Sequence, residues 1–153
     1  MDYQIELAYQ PIDRLDLSAA IRFTDVKANY GDELLIKPLS SKYKGLLTLS
    51  YSTLESGWLF DSSFLLNGNG RIPSTKQNPV EYQREESFPA YLTVNAQITK
   101  KIEMLDIYLG VENLTNYKQD NPIIASDDPF GDYFDASMIW GPIDGTKFYL
   151  GVR

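Results

Sequence analysis

The chain has no cysteine and no histidine. Without cysteine there is no disulfide framework, no thiolate metal site and no Cys nucleophile. Without histidine there is no Ser-His-Asp triad and no His-ligated zinc. Basic residues are also in the minority, 14 Lys and Arg against 21 Asp and Glu, for a formal net charge of −7. No basic stripe is available to neutralise phosphates, which excludes a nucleic-acid partner. Long apolar runs are missing too: nothing approaches the ~18 residues of a spanning helix. The start, Met1-Asp2-Tyr3-Gln4, has neither the positive stretch nor the apolar core of a signal peptide. A helical membrane protein is therefore excluded, whereas a transmembrane β-barrel is not, because its strands alternate and escape hydropathy. What remains is 43% hydrophobic and 13% aromatic over 153 residues, too apolar for a disordered chain. The length is that of one domain or a piece of a larger one. The missing residue types leave an enzyme disfavoured and imply no cofactor.

What the chain does have is period-2 alternation. Between Ala90 and Lys100, Leu92, Val94, Ala96 and Ile98 fall on one face, and Tyr91, Thr93, Asn95, Gln97 and Thr99 on the other. Leu105, Ile107, Leu109 and Val111 alternate with Asp106, Tyr108, Gly110 and Glu112. Similar stretches place strands at about 2–9, 15–27, 42–53, 57–68, 89–100, 104–114 and 146–153. The middle strands reach about 11 to 13 residues, longer than the ~5–6 of globular strands and close to the ~9–11 of tilted membrane strands. Connections of about 5, 14, 3, 20, 3 and 31 residues follow, short and long in turn. In an antiparallel meander this puts every tight turn at one rim and every long loop at the other.

That asymmetry is the one found in outer-membrane barrels, with short periplasmic turns and long extracellular loops. The expected fold is accordingly all-β: an antiparallel up-and-down transmembrane β-barrel segment of about seven strands. Tyr3, Tyr9, Trp58, Phe60, Phe88, Tyr91 and Phe148 near strand ends suit an interfacial girdle, although Tyr is a good strand former on any half-buried surface. A soluble β-sandwich or lipocalin-like ligand-binding domain also alternates, and stands as the alternative.

Leu109-Gly110-Val111-Glu112-Asn113-Leu114-Thr115-Asn116-Tyr117 goes beyond pattern. It resembles the V-x-N-L-x-(D/N)-x-x-Y stretch on a penultimate strand of TonB-dependent outer-membrane receptors, with the Tyr here directly after the Asn. Asp135-Ala136-Ser137-Met138-Ile139-Trp140-Gly141-Pro142-Ile143, followed by Phe148-Tyr149-Leu150-Gly151, is similar to the closing loop and final strand of such receptors from Bacteroidetes-type bacteria. Asn67-Gly68-Asn69-Gly70-Arg71-Ile72-Pro73, leading into a long polar loop, is similar to that group as well. The resemblance implies a barrel of about 22 strands with a plugged lumen, in the outer membrane of a Gram-negative bacterium. It implies uptake of a small nutrient of the siderophore, cobalamin, haem or glycan class. The implied partners are outer-membrane lipid and, through an N-terminal region carrying the plug, the TonB complex. Residues 1–153 would then be a C-terminal part of the barrel domain, with the plug domain absent. One departure is the end, Gly-Val-Arg, where such barrels commonly finish on an aromatic residue.

Ligand contact is expected at the long-loop rim, on Tyr117, Phe130, Tyr133, Phe134 and Trp140, which offer stacking surface in the longest loop. Asp127, Asp128, Asp132 and Asp135 cluster there too. Their hard oxygens suit calcium, although the spacing is not that of an EF-hand and acidic loops also serve as solvated turns. Gly68-x-Gly70 resembles half of a phosphate loop, but Pro73 and Ser74 follow where a helix is needed. Asn113-Leu114-Thr115 is formally a glycosylation sequon that reads better as a polar turn. Glu85-Glu86 and the inward Asp16, Arg22, Asp61, Asp106 and Glu112 fit a wet lumen better than acid–base chemistry.

Overall fold

The structure, a computed structural model, describes residues 1–31, 33–53 and 55–153. Seven strands form one antiparallel sheet, each beside its sequence neighbour in the order β1 (Asp2–Ile12), β2 (Leu15–Thr24), β5 (Tyr43–Ser52), β6 (Trp58–Asn67), β9 (Tyr91–Ile102), β10 (Leu105–Glu112) and β11 (Lys147–Val152). Two small hairpins decorate the long loops: β3 (Lys27–Tyr30) with β4 (Glu33–Ile36), and β7 (Gly70–Arg71) with β8 (Ser87–Phe88). Among the described residues the sheet is open, and neither two-stranded sheet packs across it. The described residues thus form one layer of sheet where a sandwich needs two.

Tight turns join β1 to β2 and β9 to β10, where Arg14 and Glu103 take left-handed backbone at φ 71° and 52°. Between β5 and β6 the chain turns through Gly57, φ 62°; the expected turn at 54–56 includes Leu54, which lies outside the described residues. The expected second strand, 15–27, stops at Thr24 because the chain leaves the sheet there and pairs locally as β3–β4. The sixth stops at Glu112 because Asn113 adopts φ 51°.

Cross-strand partners share a face, so the register fixes which side each residue takes. One row runs Tyr9–Leu17–Leu49–Ser62–Ala96–Val111–Phe148 across all seven strands. The neighbouring row on the opposite face includes Ser18–Thr48–Ser63–Asn95. Leu92, Val94, Ile98, Leu105, Ile107, Leu109 and Val111 share the apolar face, and Thr93, Asn95, Gln97, Asp106 and Glu112 the polar one. The polar face is laced by side-chain bonds: Ser50 donates to Asp61 at 2.7 Å, Asn95 to Ser63 at 3.3 Å and the Tyr149 hydroxyl to Gln97 at 3.0 Å.

Among the described residues none packs across the apolar face, which stays exposed. Ile5, Leu7, Leu109 and Leu150 are 69, 65, 54 and 72% exposed. The buried apolar residues, Ile72, Phe88, Ile124 and Ala125, all lie in the long loops. Aromatics collect at both ends of the outward face, with Tyr3, Phe23 and Tyr43 beside the loops and Tyr9, Tyr51, Trp58 and Phe60 beside the turns. Tyr43 to Tyr51 spans ~27 Å of strand at ~3.4 Å per residue, or ~20 Å after a ~40° tilt. Two expected girdle members fall elsewhere. Phe88 is buried among the loops, and Tyr91 pairs with Asn67 on the inward face.

Candidate functional site

The longest loop, 113–146, is held at its root by Asn113, 8% exposed. Its amide donates to the carbonyls of Tyr117 (2.8 Å) and Asp144 (3.1 Å), and its Oδ1 accepts the Tyr117 N–H at 3.1 Å. Its own N–H donates to Oδ1 of the inward Asn95 at 2.9 Å, and its carbonyl accepts the Thr146 hydroxyl at 2.8 Å. Asn tolerates left-handed backbone better than most residues, and its short amide reaches the local main chain. This sequon-like stretch is a loop root, as its polar-turn reading expects.

From that root the Tyr117 ring stacks on Tyr91, centroids 4.6 Å apart and 5° from parallel. Trp140 stacks on Phe88 at 5.0 Å and 10°, and its carbonyl accepts the Tyr91 hydroxyl at 3.2 Å. Gln119, 7% exposed, brackets the returning chain: its amide donates to the Met138 carbonyl at 2.9 Å, and its Oε1 accepts the N–H groups of Trp140 and Gly141 at 2.9 and 3.1 Å. Burial lifts the Tyr117 phenol above its ordinary pKa, with the Asp120 carboxylate adding to the lift, so the hydroxyl stays a neutral donor at physiological pH.

Tyr117 and Trp140 line a cleft of about 520 Å³ between loops 68–90 and 113–146, which Arg84 and Glu85 line as well. Lys118 and Met138 also line it. The mixture of flat apolar surface, amides and both charge signs suits a polar ligand with flat apolar parts.

Of the five aromatics expected to meet ligand, Tyr117 and Trp140 face this cleft. The other three stand apart. Phe130 is fully exposed at the loop tip, Tyr133 packs on Tyr82 at 5.7 Å, and Phe134 sits in a local turn with its N–H on the Gly131 carbonyl. The four aspartates are not gathered either: no three or more acidic side chains converge among the described residues. Asp135 caps a turn by accepting the Ser137 N–H at 2.7 Å, the Asp128 carbonyl accepts the Gly131 N–H at 3.0 Å, and Asp127 lies near enough to Tyr82 to raise its phenol pKa. Glu86 is not paired with Glu85. It bridges Lys76 at 2.8 Å and accepts Ser74, and these two partners lower its pKa. Gln119 had no sequence signal, because its partners Met138, Trp140 and Gly141 are distant in the chain.

No protein-family model matches the sequence, and no curated protein matches it. Among solved structures it is similar to a mutant of the ferric enterobactin receptor PfeA of Pseudomonas aeruginosa, with a TM-score of 0.62 at 13% identity over 97% of this chain. The chain spans 21% of that receptor's length. The likeness is one of fold: an antiparallel meander of the kind that walls a β-barrel receptor, left open here. No feature of it is specific to Bacteroidetes.

Proposed function

We propose that this chain forms part of the wall and mouth of a TonB-dependent outer-membrane receptor in a Gram-negative bacterium, of the Bacteroidetes type that its closing segment resembles. It binds a small nutrient at the long-loop rim and carries no catalytic step. The observation that supports this most is the outward face: seven strands of apolar side chains, banded by aromatics at both ends, with none of the described residues packed across them. Water makes such a face costly at ~25 cal/mol per Å², and a lipid core removes that cost. A polar, hydrogen-bonded inward face suits a wet or plugged lumen. In receptors of this class coupling to TonB runs through the plug domain, so the part proposed for these strands is scaffold and ligand contact. The ligand belongs to the siderophore, cobalamin, haem or glycan classes, and the stacked rings and amides of the cleft support any of these flat or ring-bearing molecules.

The test is where the intact protein resides. Sucrose-gradient fractionation of producing cells should recover it with the lipopolysaccharide-rich outer membrane, resistant to alkaline carbonate. Recovery in the soluble fraction or the inner membrane would overturn the reading.

A further inference from the structure

The outward face carries one charged side chain among the described residues of its seven strands, Lys100. Its place follows from the register: Lys100 lies directly opposite Trp58 on β6 and Ile107 on β10, both outward. The surrounding row is aromatic. Tyr51 stacks on Phe60 at 6.4 Å, Phe60 on Trp58 at 6.3 Å, and the Lys100 ammonium sits over the Trp58 ring, 4.8 Å from its centroid. The β5–β6 turn completes the setting. Lys100 Nζ donates to the Ser56 carbonyl, and the turn is fixed because Gly57 accepts the Lys101 N–H at 2.7 Å while a Cβ there would meet the Lys101 carbonyl at 2.7 Å.

We infer that Lys100, Trp58 and the Ser56 carbonyl form a binding site for the phosphate of a phospholipid headgroup in the leaflet at the tight-turn rim. The inference rests on the membrane reading above and deepens it. An ammonium has three N–H donors and no acceptor. Ser56 takes one, the ring covers one side, and two donors remain for phosphate oxygens. A cation on a lipid-facing surface is expensive at mid-membrane and tolerated where its stem runs to the interface. Its position one outward row in from the turn-side pair Ile102–Leu105, beside an indole, is that interface. Acyl chains of the same lipid meet Ile98 and Leu109, the next outward pair toward mid-strand, which free phosphate does not. The neighbouring Lys101 points inward, opposite Asp106, and takes no part. The site pins the height of the barrel wall in the membrane.

The experiment uses the intact protein extracted from outer membranes, delipidated in neutral detergent and titrated with dioleoyl-phosphatidylglycerol, bound lipid being counted by native mass spectrometry. Lys100→Gln should weaken binding of the first lipid about fivefold, the effect of one cation at an anionic surface. Lys100→Arg and Lys101→Gln should bind as the unaltered protein does, and inorganic phosphate should not compete. If Lys100→Gln fails to insert, Trp58→Leu reads the same site with about a twofold loss. Unchanged lipid binding in Lys100→Gln, or an equal loss in Lys101→Gln, overturns the site while leaving the membrane reading intact. Recovery of the unaltered protein from the soluble fraction overturns both.

Discussion

Two glycines and one asparagine carry more than their size suggests. Gly110 and Gly151 lie under rings from the facing strand: a Cβ on Gly110 would sit 2.1 Å from Tyr149, and one on Gly151 would sit 2.2 Å from Tyr108. Each phenol thus folds over the glycine paired with it across β10 and β11, an aromatic covering of bare backbone. Gly110→Ala should cost about 1–3 kcal/mol through overpacking, read as a lower urea midpoint in liposomes, and Tyr149→Ser in the same chain should recover most of it. Asn113→Ala strips the partners from several main-chain groups at the loop root, each costing about 1–3 kcal/mol if left buried and unpaired. Limited proteolysis should then cut within 113–146 while the sheet stays protected; an uncut loop would show that Asn113 is dispensable. The sequence marked Asn113 through its motif. It could not mark the glycines, whose need arises only when a tyrosine arrives from the next strand.

At the scale of elements, the strands were legible because each of their faces meets a single environment. Leu92-Thr93-Val94-Asn95 repeats that contrast without a break, and a one-residue slip would reverse every side chain. The hairpins β3–β4 and β7–β8 were not legible, since segments such as Lys27–Tyr30 are short and bury little. The cleft was half legible: the rings of Tyr117 and Trp140 were expected at the rim, but their stacking on Tyr91 and Phe88 joins segments far apart in the chain. Depth along a strand sets the next prediction. Leu109 lies between Ile98 and Leu150, whereas Ile107 faces Lys100 near the turn rim. Leu109→Arg should therefore cost about 2–4 kcal/mol of folding free energy in liposomes and Ile107→Arg less, with Thr93→Arg on the inward face costing little. Equal costs at Leu109 and Thr93 would reject the facing. Loop 68–90 carries a pH dependence as well. Glu86 is held below its usual pKa by Lys76 and Ser74, so its contribution is present above the ordinary carboxylate value of ~4.3 and is lost as pH falls through the lowered one. Protection factors across 74–86, taken relative to intrinsic exchange at each pH, should fall below pH ~4 and stay flat between pH ~5 and 8; a loss of protection already at pH ~6 would contradict the pairing.

At the scale of the whole molecule, the buried apolar side chains among the described residues lie in the long loops and none lies in the seven-stranded sheet. Ile72, Phe88, Ile124 and Ala125 are each buried in the long loops, while the outward apolar side chains of the strands stay exposed. A soluble domain reverses that arrangement. The orientation proposed above, with long loops outside and tight turns in the periplasm, rests on the same asymmetry. The absence of cysteine from these residues makes the orientation directly measurable. Phe130→Cys places a thiol at a fully exposed loop tip, and Met104→Cys places one at a tight turn where the native side chain is 98% exposed. In the intact protein on living cells, a membrane-impermeant maleimide should label Phe130→Cys and spare Met104→Cys, and opening the outer membrane should admit label to both. Labelling of Met104→Cys on intact cells as fast as Phe130→Cys would contradict a wall that spans the outer membrane.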